Sequence, residues 1–499
     1  MNRVRRESRK VVVIGAGFSG LSAAAHLARS GFEVHLLEKH DQPGGRARVW
    51  EQDGFRFDMG PSWYWMPDLF EHFFAQFGKR VSDYYELERL DPSYRVYFED
   101  GEALDVPASL EDRRSLFESI EPGSGEAFDH LIEQTRYIYE TATRDYLMRP
   151  ALKFTEFVDW RIVSSLFRMK MTTSMHAYAK MLFQNPKLIT LTEWPVLFLG
   201  ATANKTPAMY SLMTYADMAL GTWYPKGGMH QIIQGMVSLA KSLGVRFHYN
   251  QDVEEIVVEN GQATGVRTQQ GLFESEFVLA AADYHHVEMQ LLAPEYQQHS
   301  QRYWDSRVMS PSSLLYYLGL DCKIPELEHH NLFFDRGMDK HLEQVYTKPA
   351  WPEEPLFYAC VSSKTDETVA PPGSETMFLL IPLAPGLEDS EEERDACFQK
   401  VMQRLEHYTG RHLRDHIQVK RSYAMMDFVQ DYHAFKGNAY GMANTLRQTG
   451  PLKPKLRSNK VRNLYYAGQL TVPGPGMPPS LISGQLASEV LLADAKVKS

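Results

Sequence analysis

Four residues near the start of the chain have the types and spacing that binding of a dinucleotide requires. Gly15, Gly17 and Gly20 form the pattern Gly-x-Gly-x-x-Gly, and Glu38 follows Gly17 by 21 positions. In this pattern the first glycine permits a tight turn, the second lets the backbone approach a pyrophosphate, and the third lets a helix pack close to a sheet. The carboxylate of Glu38 can accept hydrogen bonds from ribose hydroxyls. The spacing therefore predicts a dinucleotide site.

The surrounding sequence predicts the strand, helix and second strand that must position these residues. Residues 11–14 form an apolar run typical of a buried strand, residues 21–30 are mostly small and predict a helix, and residues 34–37 predict a second strand. The pyrophosphate would lie against free N–H groups at the start of the helix. The predicted site therefore extends to neighbours of the glycines and of Glu38, namely Ala16, Phe18, Ser19 and Lys39.

The same stretch has an alternative interpretation as a secretory signal peptide, because Arg3, Arg5 and Arg6 precede the apolar run. The spaced glycines and the position of Glu38 favour the dinucleotide site, so residues 1–10 are interpreted as a short solvated leader. No uninterrupted apolar run approaches the roughly 20 residues that a membrane-spanning helix requires. We therefore expect no signal peptide and no transmembrane helix.

A second glycine-rich segment indicates which dinucleotide is bound. Gly45 and Arg46 follow Glu38 closely, and Gly60, Pro61 and Ser62 come after a short β segment. A nicotinamide-binding domain would instead continue into another helix and strand, and no second pattern supports a separate NAD site. This order of motifs resembles that of the large flavoprotein group that includes amine oxidases and carotenoid desaturases, in which the Gly-Gly-Arg segment lies along the bridge between the phosphates and the flavin. The resemblance implies FAD as the cofactor, with these five residues in its site.

Composition limits the class of protein. The chain has 499 residues, of which 43% are hydrophobic and 23% are charged, so roughly two or three globular core-forming units are expected. The net charge of −10 argues against a nucleic-acid partner. The three cysteines lie far apart without metal-ligand spacing, so no metal site is expected and a reducing cytosol fits; they are Cys322, Cys360 and Cys397.

Residues 149–215 form the most unusual segment. Between Arg149 and Met171 there are five basic residues and two acidic ones, and one helix face would carry Trp160, Val163, Phe167 and Met171. A basic helix with a bulky apolar face is typical of a helix lying on a membrane surface, although a helical cap on the protein's own core is an equal alternative. Asp159 and Arg161 are candidate catalytic groups facing a tunnel under this helix. A solvated ion pair is the competing interpretation.

The middle and the tail of the chain complete the predicted site. A three-stranded unit with a hairpin turn at residues 260–261 would cover the adenine, paired through the backbone of Val253, as in FAD enzymes of this fold. The tail is predicted to form a strand ending on Gly468, a loop rich in glycine and proline, and a helix capped by Ser480 and ending at Leu492. N–H groups at that helix start could face the flavin pyrimidine carbonyl, which adds Gly476 and Met477 to the site. A simple terminal loop and helix is the alternative.

These elements predict an α/β fold with a Rossmann-like FAD-binding domain, an inserted α+β substrate domain and a helical, membrane-associating segment. The FAD-binding domain is assigned to residues 1–85, 216–290 and 451–499, the substrate domain to 86–148 and 291–450, and the helical segment to 149–215. The aromatic cluster at residues 63–66 fits a substrate wall as well as it fits core packing.

Five separated segments resemble the bacterial-type phytoene desaturases and related carotenoid desaturases. They read VVVIGAGFSGLSAAAHLA, LLEKHDQPGGRA, GFRFDMGPS, WYPKGGM and LYYAGQLTVPGPGMPPS, and they make the resemblance nearly full-length. It implies FAD-dependent removal of hydrogen from a long polyene, most simply the stepwise conversion of phytoene to lycopene. A later-pathway desaturase or a carotenoid isomerase is the alternative. A C40 carotenoid substrate implies peripheral contact with the cytoplasmic side of a membrane. Oligomers of the protein on that membrane would also be compatible with the resemblance.

Two rival functions share this architecture. A flavin amine oxidase would need an aromatic cage and a lysine near flavin N5, for which Lys226 in the Tyr-Pro-Lys-Gly-Gly-Met segment is the motif-linked candidate. A non-catalytic lipid-binding protein of the prenyl-protein escort type would not need a complete dinucleotide pattern. The complete pattern and the basic segment favour the carotenoid desaturase.

Overall fold

A parallel sheet of five strands, called here the first sheet, contains the two strands predicted near the start of the chain. The computed structural model describes residues 9–153, 156, 173–200 and 202–497. Its first sheet has the strand order Leu464–Tyr466, Phe277–Ala280, Lys10–Ile14, Glu33–Leu37 and Arg246–His248. Most of its residues are buried, as is usual for a parallel sheet covered on both faces. The two strands predicted at residues 11–14 and 34–37 are confirmed, each beginning one residue earlier.

The helix Phe18–Arg29 connects the first two strands and begins three residues before the predicted start at residue 21. Gly17 precedes it with extended backbone angles, and the Gly17 carbonyl oxygen accepts a hydrogen bond from the N–H of Leu21 at 2.9 Å. Three residues in the first turn, including Gly20, are helical because they are buried against neighbouring elements, which outweighs their low helix propensity. The glycine pattern therefore leads directly into the helix.

The final helix runs from Met477 to Val497, so the predicted cap at Ser480 and the predicted end at Leu492 are both wrong. Two prolines occupy the first turn, where a missing N–H leaves no helical hydrogen bond unmade. The N–H of Ser480 donates to the carbonyl oxygen of Gly476 at 2.9 Å, which places Ser480 inside the helix. The loop before the helix, rather than a serine cap, therefore determines where the helix begins.

A three-stranded antiparallel sheet lies beside the first sheet. It contains Val253–Glu259, Gln262–Thr268 and Gly271–Glu274. Asn260 and Gly261 both have positive φ, 50° and 70°, which is the backbone that a two-residue hairpin turn requires. The predicted hairpin is confirmed.

A seven-stranded sheet, called here the large sheet, forms the other side of the molecule. Its strand order is Ile417–Tyr423, Ser312–Leu320, Glu375–Leu383, Phe357–Cys360, His330–Phe334, Tyr94–Phe98 and Ala103–Val106. The pairing is antiparallel except between His330–Phe334 and Tyr94–Phe98. The helix Glu391–Thr409 packs on one face through buried apolar residues. Leu315, Tyr358 and Leu380 are cross-strand neighbours that belong to the core on the opposite face.

The remaining elements connect the two sheets. Two short ribbons pair Val49–Gln52 with Phe55–Asp58 and Leu87–Arg89 with Trp223–Pro225. The other helices are Pro67–Ala75, Leu110–Ile120, Ser124–Thr141, Met175–Leu182, Pro186–Glu193, Leu212–Met218, His230–Ser242, Tyr284–Gln290, Gln301–Asp305, Met338–Tyr346 and Met425–Tyr432. Within the described ranges, no helix has both the length and the apolar character needed to cross a bilayer.

The basic segment predicted to lie on a membrane falls largely outside the described residues. This applies to the two candidate catalytic residues, Asp159 and Arg161, and to the four residues predicted to share a helix face. The described remainder of residues 149–215 contains the helices Met175–Leu182, Pro186–Glu193 and Leu212–Met218. The membrane role of this segment and its division from the other two domains stay predictions.

Candidate functional site

A cavity of about 750 Å³ opens at the carboxyl ends of the first sheet and reaches the large sheet. Four of the five parallel strands contribute to it through the residues at or just after their ends, which include Gly15, Glu38, Ala281 and Ala467. Open parallel sheets bind ligands at this edge, where loops and helix N-termini meet. We call this part of the cavity the polar end and the part against the large sheet the apolar end.

Almost all of the residues predicted to bind the cofactor line this cavity. Two do not, Ala16 and Gly20, which lie behind the loop. Those that line the cavity come from four distant parts of the sequence and are Gly15, Gly17, Phe18, Ser19, Glu38, Lys39, Gly45, Arg46, Gly60, Pro61, Ser62, Val253, Gly468, Gly476 and Met477. The fold therefore brings both ends of the chain and its middle to one place, as the predicted site requires.

The glycines create space that a side chain would fill. A Cβ atom on Gly20 would lie 1.9 Å from the carbonyl oxygen of Gly15, so the helix packs directly on the turn. Gly15 itself has φ of +95°, a conformation that favours glycine. Across the loop, a Cβ on Gly45 would lie 3.4 Å from the Cα of Gly17. A side chain at Gly17 or Gly45 would fill the gap in which a pyrophosphate fits against backbone N–H groups.

Glu38 holds the loop while facing the cavity. Its carboxylate is buried, and it accepts hydrogen bonds from the N–H of Ala16 at 2.7 Å and from the N–H of His40 at 3.0 Å. A carboxylate has about four lone-pair positions, so two remain for ribose hydroxyls. Glu38 therefore fixes the glycine loop and can also bind the ribose.

Arg46 supplies a half-buried cation at the polar end. One terminal nitrogen donates to the carbonyl oxygen of Asn438 at 3.2 Å, and the guanidinium lies 5.0 Å from the ring centroid of Tyr432. Burial lowers the pKa of Arg46 and the nearby Asp283 carboxylate opposes this, yet an arginine stays protonated at neutral pH. The Nε–H has no partner among the described residues. This unused buried donor fits an oxygen of the FAD phosphates.

The tail closes the polar end. The N–H of Gly468 donates to the hydroxyl of Ser483 at 2.9 Å, which fixes the end of the last strand. Gly476, with φ of +112°, and Met477 line the cavity where the final helix begins. A helix N-terminus carries partial positive charge from its free N–H groups. Since residues 478 and 479 are prolines, the donors left at this helix start are the N–H groups of Gly476 and Met477. They fit the flavin carbonyl that gains negative charge on reduction, so the polar end as a whole fits FAD.

The apolar end is built from aromatic and aliphatic side chains. The aromatic cluster divides between the two predicted roles: Trp63, Trp65 and Met66 line the cavity, whereas Tyr64 is fully buried. Trp63 packs with its ring centroid 5.1 Å from that of Trp194. Other lining residues are Leu199, Met209, Leu212, Met213, Leu315, Tyr358, Leu380, Phe428 and Tyr440. Their chemistry suits a hydrocarbon and offers few groups that could bind a charged substrate.

Sequence reasoning missed a second set of residues at the polar end. They are His40, Gln251, Asp252, Asp283, His286, Asp431, Tyr432 and His433. Only Asp283 had a usable signal, since it follows closely after the apolar strand Phe277–Ala280. The others lie on loops or on the helices Tyr284–Gln290 and Met425–Tyr432, and no motif marks them.

Lys226 is not the lysine that an amine oxidase would place near flavin N5. Its ammonium donates to the carboxylate of Glu86 at 2.8 Å, and its side chain is 48% exposed. Lys226 does not line the cavity, whereas Lys39 does so at the polar end. The ammonium of Lys39 already donates to the carbonyl oxygen of Gln430 at 2.6 Å. The motif-linked candidate for amine oxidation is therefore removed.

Comparison with known families identifies relatives of the whole chain. Residues 18–492 match the family described as flavin containing amine oxidoreductase. The chain is 41% identical to carotenoid 3,4-desaturase of Haloarcula japonica, over 97% of this chain and 98% of that protein. It is 32% identical to the zeta-carotene-forming phytoene desaturase of Myxococcus xanthus, over 97% and 94% respectively.

Comparison with solved structures gives the same fold at low sequence identity. An oxidoreductase from Methanosarcina mazei superposes with a TM-score of 0.64 at 16% identity, covering 96% of this chain and 100% of that one. Putrescine oxidase bound to putrescine superposes with a TM-score of 0.60 at 15% identity, covering 97% and 99%. At these identities the likeness shows the fold alone.

Proposed function

This chain belongs to the carotenoid desaturases of the flavin containing amine oxidoreductase family, and we propose that it converts phytoene stepwise to lycopene. It is an FAD-dependent oxidoreductase that acts on CH–CH groups. One observation carries the proposal: the cavity joins a polar end that fits FAD to an apolar end walled by Trp63, Leu315 and Leu380. A hydrocarbon polyene has no polar group to bind, so such a wall suits it.

The chemistry relies on orientation and a dry site. FAD, when bound, accepts the hydride that leaves a C–H bond beside conjugated double bonds. The side chains of the apolar end hold the polyene extended and exclude water, so that one C–H bond at a time lies at the polar end. Loss of a proton from the adjacent carbon then forms the new double bond, and each step removes two hydrogen atoms. Asp159 and Arg161 stay predictions for the groups that face this part of the substrate.

A second candidate reaction is desaturation of the 3,4 bond near the end of a carotenoid. The observation that favours it is the 41% identity to a carotenoid 3,4-desaturase, against 32% for the phytoene desaturase. Both reactions remove hydrogen from a CH–CH group beside a polyene. They differ in how far the substrate must enter before the reacting bond reaches the flavin.

The test uses purified protein with FAD in liposomes that contain phytoene or a carotenoid with a saturated 3,4 bond. We expect phytoene to be consumed and lycopene to accumulate. Chromatography and the visible absorption of the longer polyene measure both changes. Consumption of the other substrate alone would establish the second candidate. If a protein that retains FAD consumes neither, the proposed substrate class is wrong.

Two further proposals concern the surroundings of this site. We propose that the residues lining the polar end bind FAD, and that the division of the chain into an FAD-binding domain, a substrate domain and residues 149–215 follows the predicted boundaries. We also propose that residues 149–215 contact the membrane surface, since the substrate is insoluble in water and the cavity is lined by Arg149 and Met209. Sedimentation with anionic and neutral vesicles tests this contact, and equal absence from both pellets would contradict it.

A further inference from the structure

Two histidines and a cysteine meet behind the wall of the apolar end. His330 and Cys360 are directly opposite each other on paired strands of the large sheet, and His329 precedes His330. One ring nitrogen of each histidine and the sulfur of the cysteine lie within 4.8 Å of one another. All three side chains are buried. The cross-strand register thus brings together three metal-ligating groups that are separated by about 30 positions in the sequence.

The hydrogen bonds of both rings leave a nitrogen unused. The Nδ1 atom of His329 bonds the hydroxyl of Thr365 at 2.7 Å, and the Nδ1 atom of His330 bonds the hydroxyl of Tyr358 at 2.6 Å. Both Nε2 atoms are buried and have no partner among the described residues. A single thiol proton on Cys360 could satisfy at most one of them. Buried polar atoms of this kind are rare and call for a ligand.

The outer partners of the two rings favour coordination. A neutral ring whose Nδ1–H is donated to a hydroxyl presents its Nε2 lone pair, and such an outer partner is typical of metal-binding histidines. Binding of a metal would have to release the thiol proton of Cys360.

We propose that His329, His330 and Cys360 bind a thiophilic transition-metal ion, Zn²⁺ or Cu⁺, that fixes the wall of the apolar end. Two imidazoles and a thiolate are ligands that both ions accept. Ligand atoms on one zinc ion lie roughly 3.3–3.6 Å apart, so the side chains would move inwards by about 1 Å on binding. With Zn²⁺ the set keeps one positive charge, which the nearby carboxylates of Asp58 and Asp366 would offset.

The cluster contacts two residues that line the cavity. Trp63 stacks on the ring of His330 with centroids 4.0 Å apart, and the hydroxyl of Tyr358 is hydrogen-bonded to Nδ1 of the same histidine. Both Trp63 and Tyr358 line the apolar end. The ion would therefore act through position, holding a tryptophan and a tyrosine of the wall in place, and it would not contact the substrate.

The test measures metal rather than activity, so it is independent of the proposed desaturation. Full-length protein with FAD is stripped with a chelator, and Zn²⁺ or Cu⁺ is added back in separate experiments. We expect about one ion per chain after desalting, as for a closed protein site. His329→Asn, which can keep the bond to Thr365, and Cys360→Ser should each weaken binding more than about tenfold. Cys397→Ser, which removes another buried cysteine far from the cluster, should not.

Three results would overturn the proposal. The first is wild-type protein that takes up neither ion, and the second is equal metal binding by Cys360→Ser and Cys397→Ser. Retention of FAD absorbance reports that each variant is folded. Should the ligand variants fail to fold, X-ray absorption by the metal in loaded wild-type protein decides. One sulfur and two nitrogen neighbours are expected. A metal shell without sulfur is the third contrary result.

Discussion

The two ends of the cavity are built in different ways. At the polar end, the groups that fit the ligand are backbone N–H groups, glycines, the buried Glu38 and the half-buried Arg46, held by hydrogen bonds such as Ala16 N–H to Glu38 at 2.7 Å. At the apolar end, side chains such as Leu315, Tyr358 and Leu380 contribute bulk from adjacent strands of the large sheet. The polar end therefore depends on close backbone approach, and the apolar end depends on the shape and dryness of its wall.

The largest effect should come from closing the backbone gap at the polar end. In Gly20→Ala the added Cβ would lie 1.9 Å from the carbonyl oxygen of Gly15, and backbone on both sides must shift. We expect FAD to be lost on gel filtration and the free energy of unfolding to fall by about 1–3 kcal/mol. Gly337→Ala is the control, because a Cβ there meets nothing within 4 Å. Equal FAD content in both variants would show that the helix and turn need no close contact.

A smaller effect is expected from removing one charge at the same end. Glu38→Gln keeps one acceptor oxygen but turns an amide NH₂ towards the N–H of either Ala16 or His40. Bonds to a charged group contribute about 1.5–3 kcal/mol, so the Kd for FAD should rise about 10- to 100-fold. Flavin fluorescence titration measures this. Glu255→Gln, at an exposed ion pair with Arg267, should leave the Kd unchanged; a matching rise there would mean that net charge alone matters.

The polar and apolar ends of the cavity also differ in how much of each the sequence predicts. The strands at residues 11–14 and 34–37, the hairpin and the glycine loops of the polar end could be predicted, since turn glycines are dictated by neighbours in the chain. Most of the apolar end beyond the aromatic cluster at residues 63–66 could not, because Leu315 and Leu380 become neighbours only through strand pairing. The cluster of His329, His330 and Cys360 was missed for the same reason: its spacing becomes meaningful only once His330 pairs with Cys360.

At the apolar end, polarity should matter more than small changes of shape. Leu380→Gln places an amide of similar length in the wall, where its groups lack partners. We expect kcat/KM for the polyene to fall about 5- to 100-fold, from an unpaired polar group costing about 1–3 kcal/mol, while the Kd for FAD stays constant. Leu380→Met, with conserved volume and no polar hydrogen-bonding group, should lose less than about threefold. Loss of FAD from the glutamine variant would mean that the two ends are not separable.

The smallest effect on function is expected behind the tail loop, at Lys453. Its ammonium has no partner among the described residues, and burial lowers its pKa to about 7. Since the unfolded chain keeps the proton up to about pH 10.5, the folded state binds fewer protons than the unfolded state above pH 7. The contribution of Lys453 to stability must therefore rise with pH, by about 1.4 kcal/mol per unit between pH 8 and pH 9. In Lys453→Met this rise should disappear, with FAD binding unchanged, when the free energy of unfolding is measured by denaturant titration at each pH. Parallel pH profiles for the two proteins would mean that Lys453 keeps its proton in the folded state. A charged group would then lie buried against Gly474 of the tail loop.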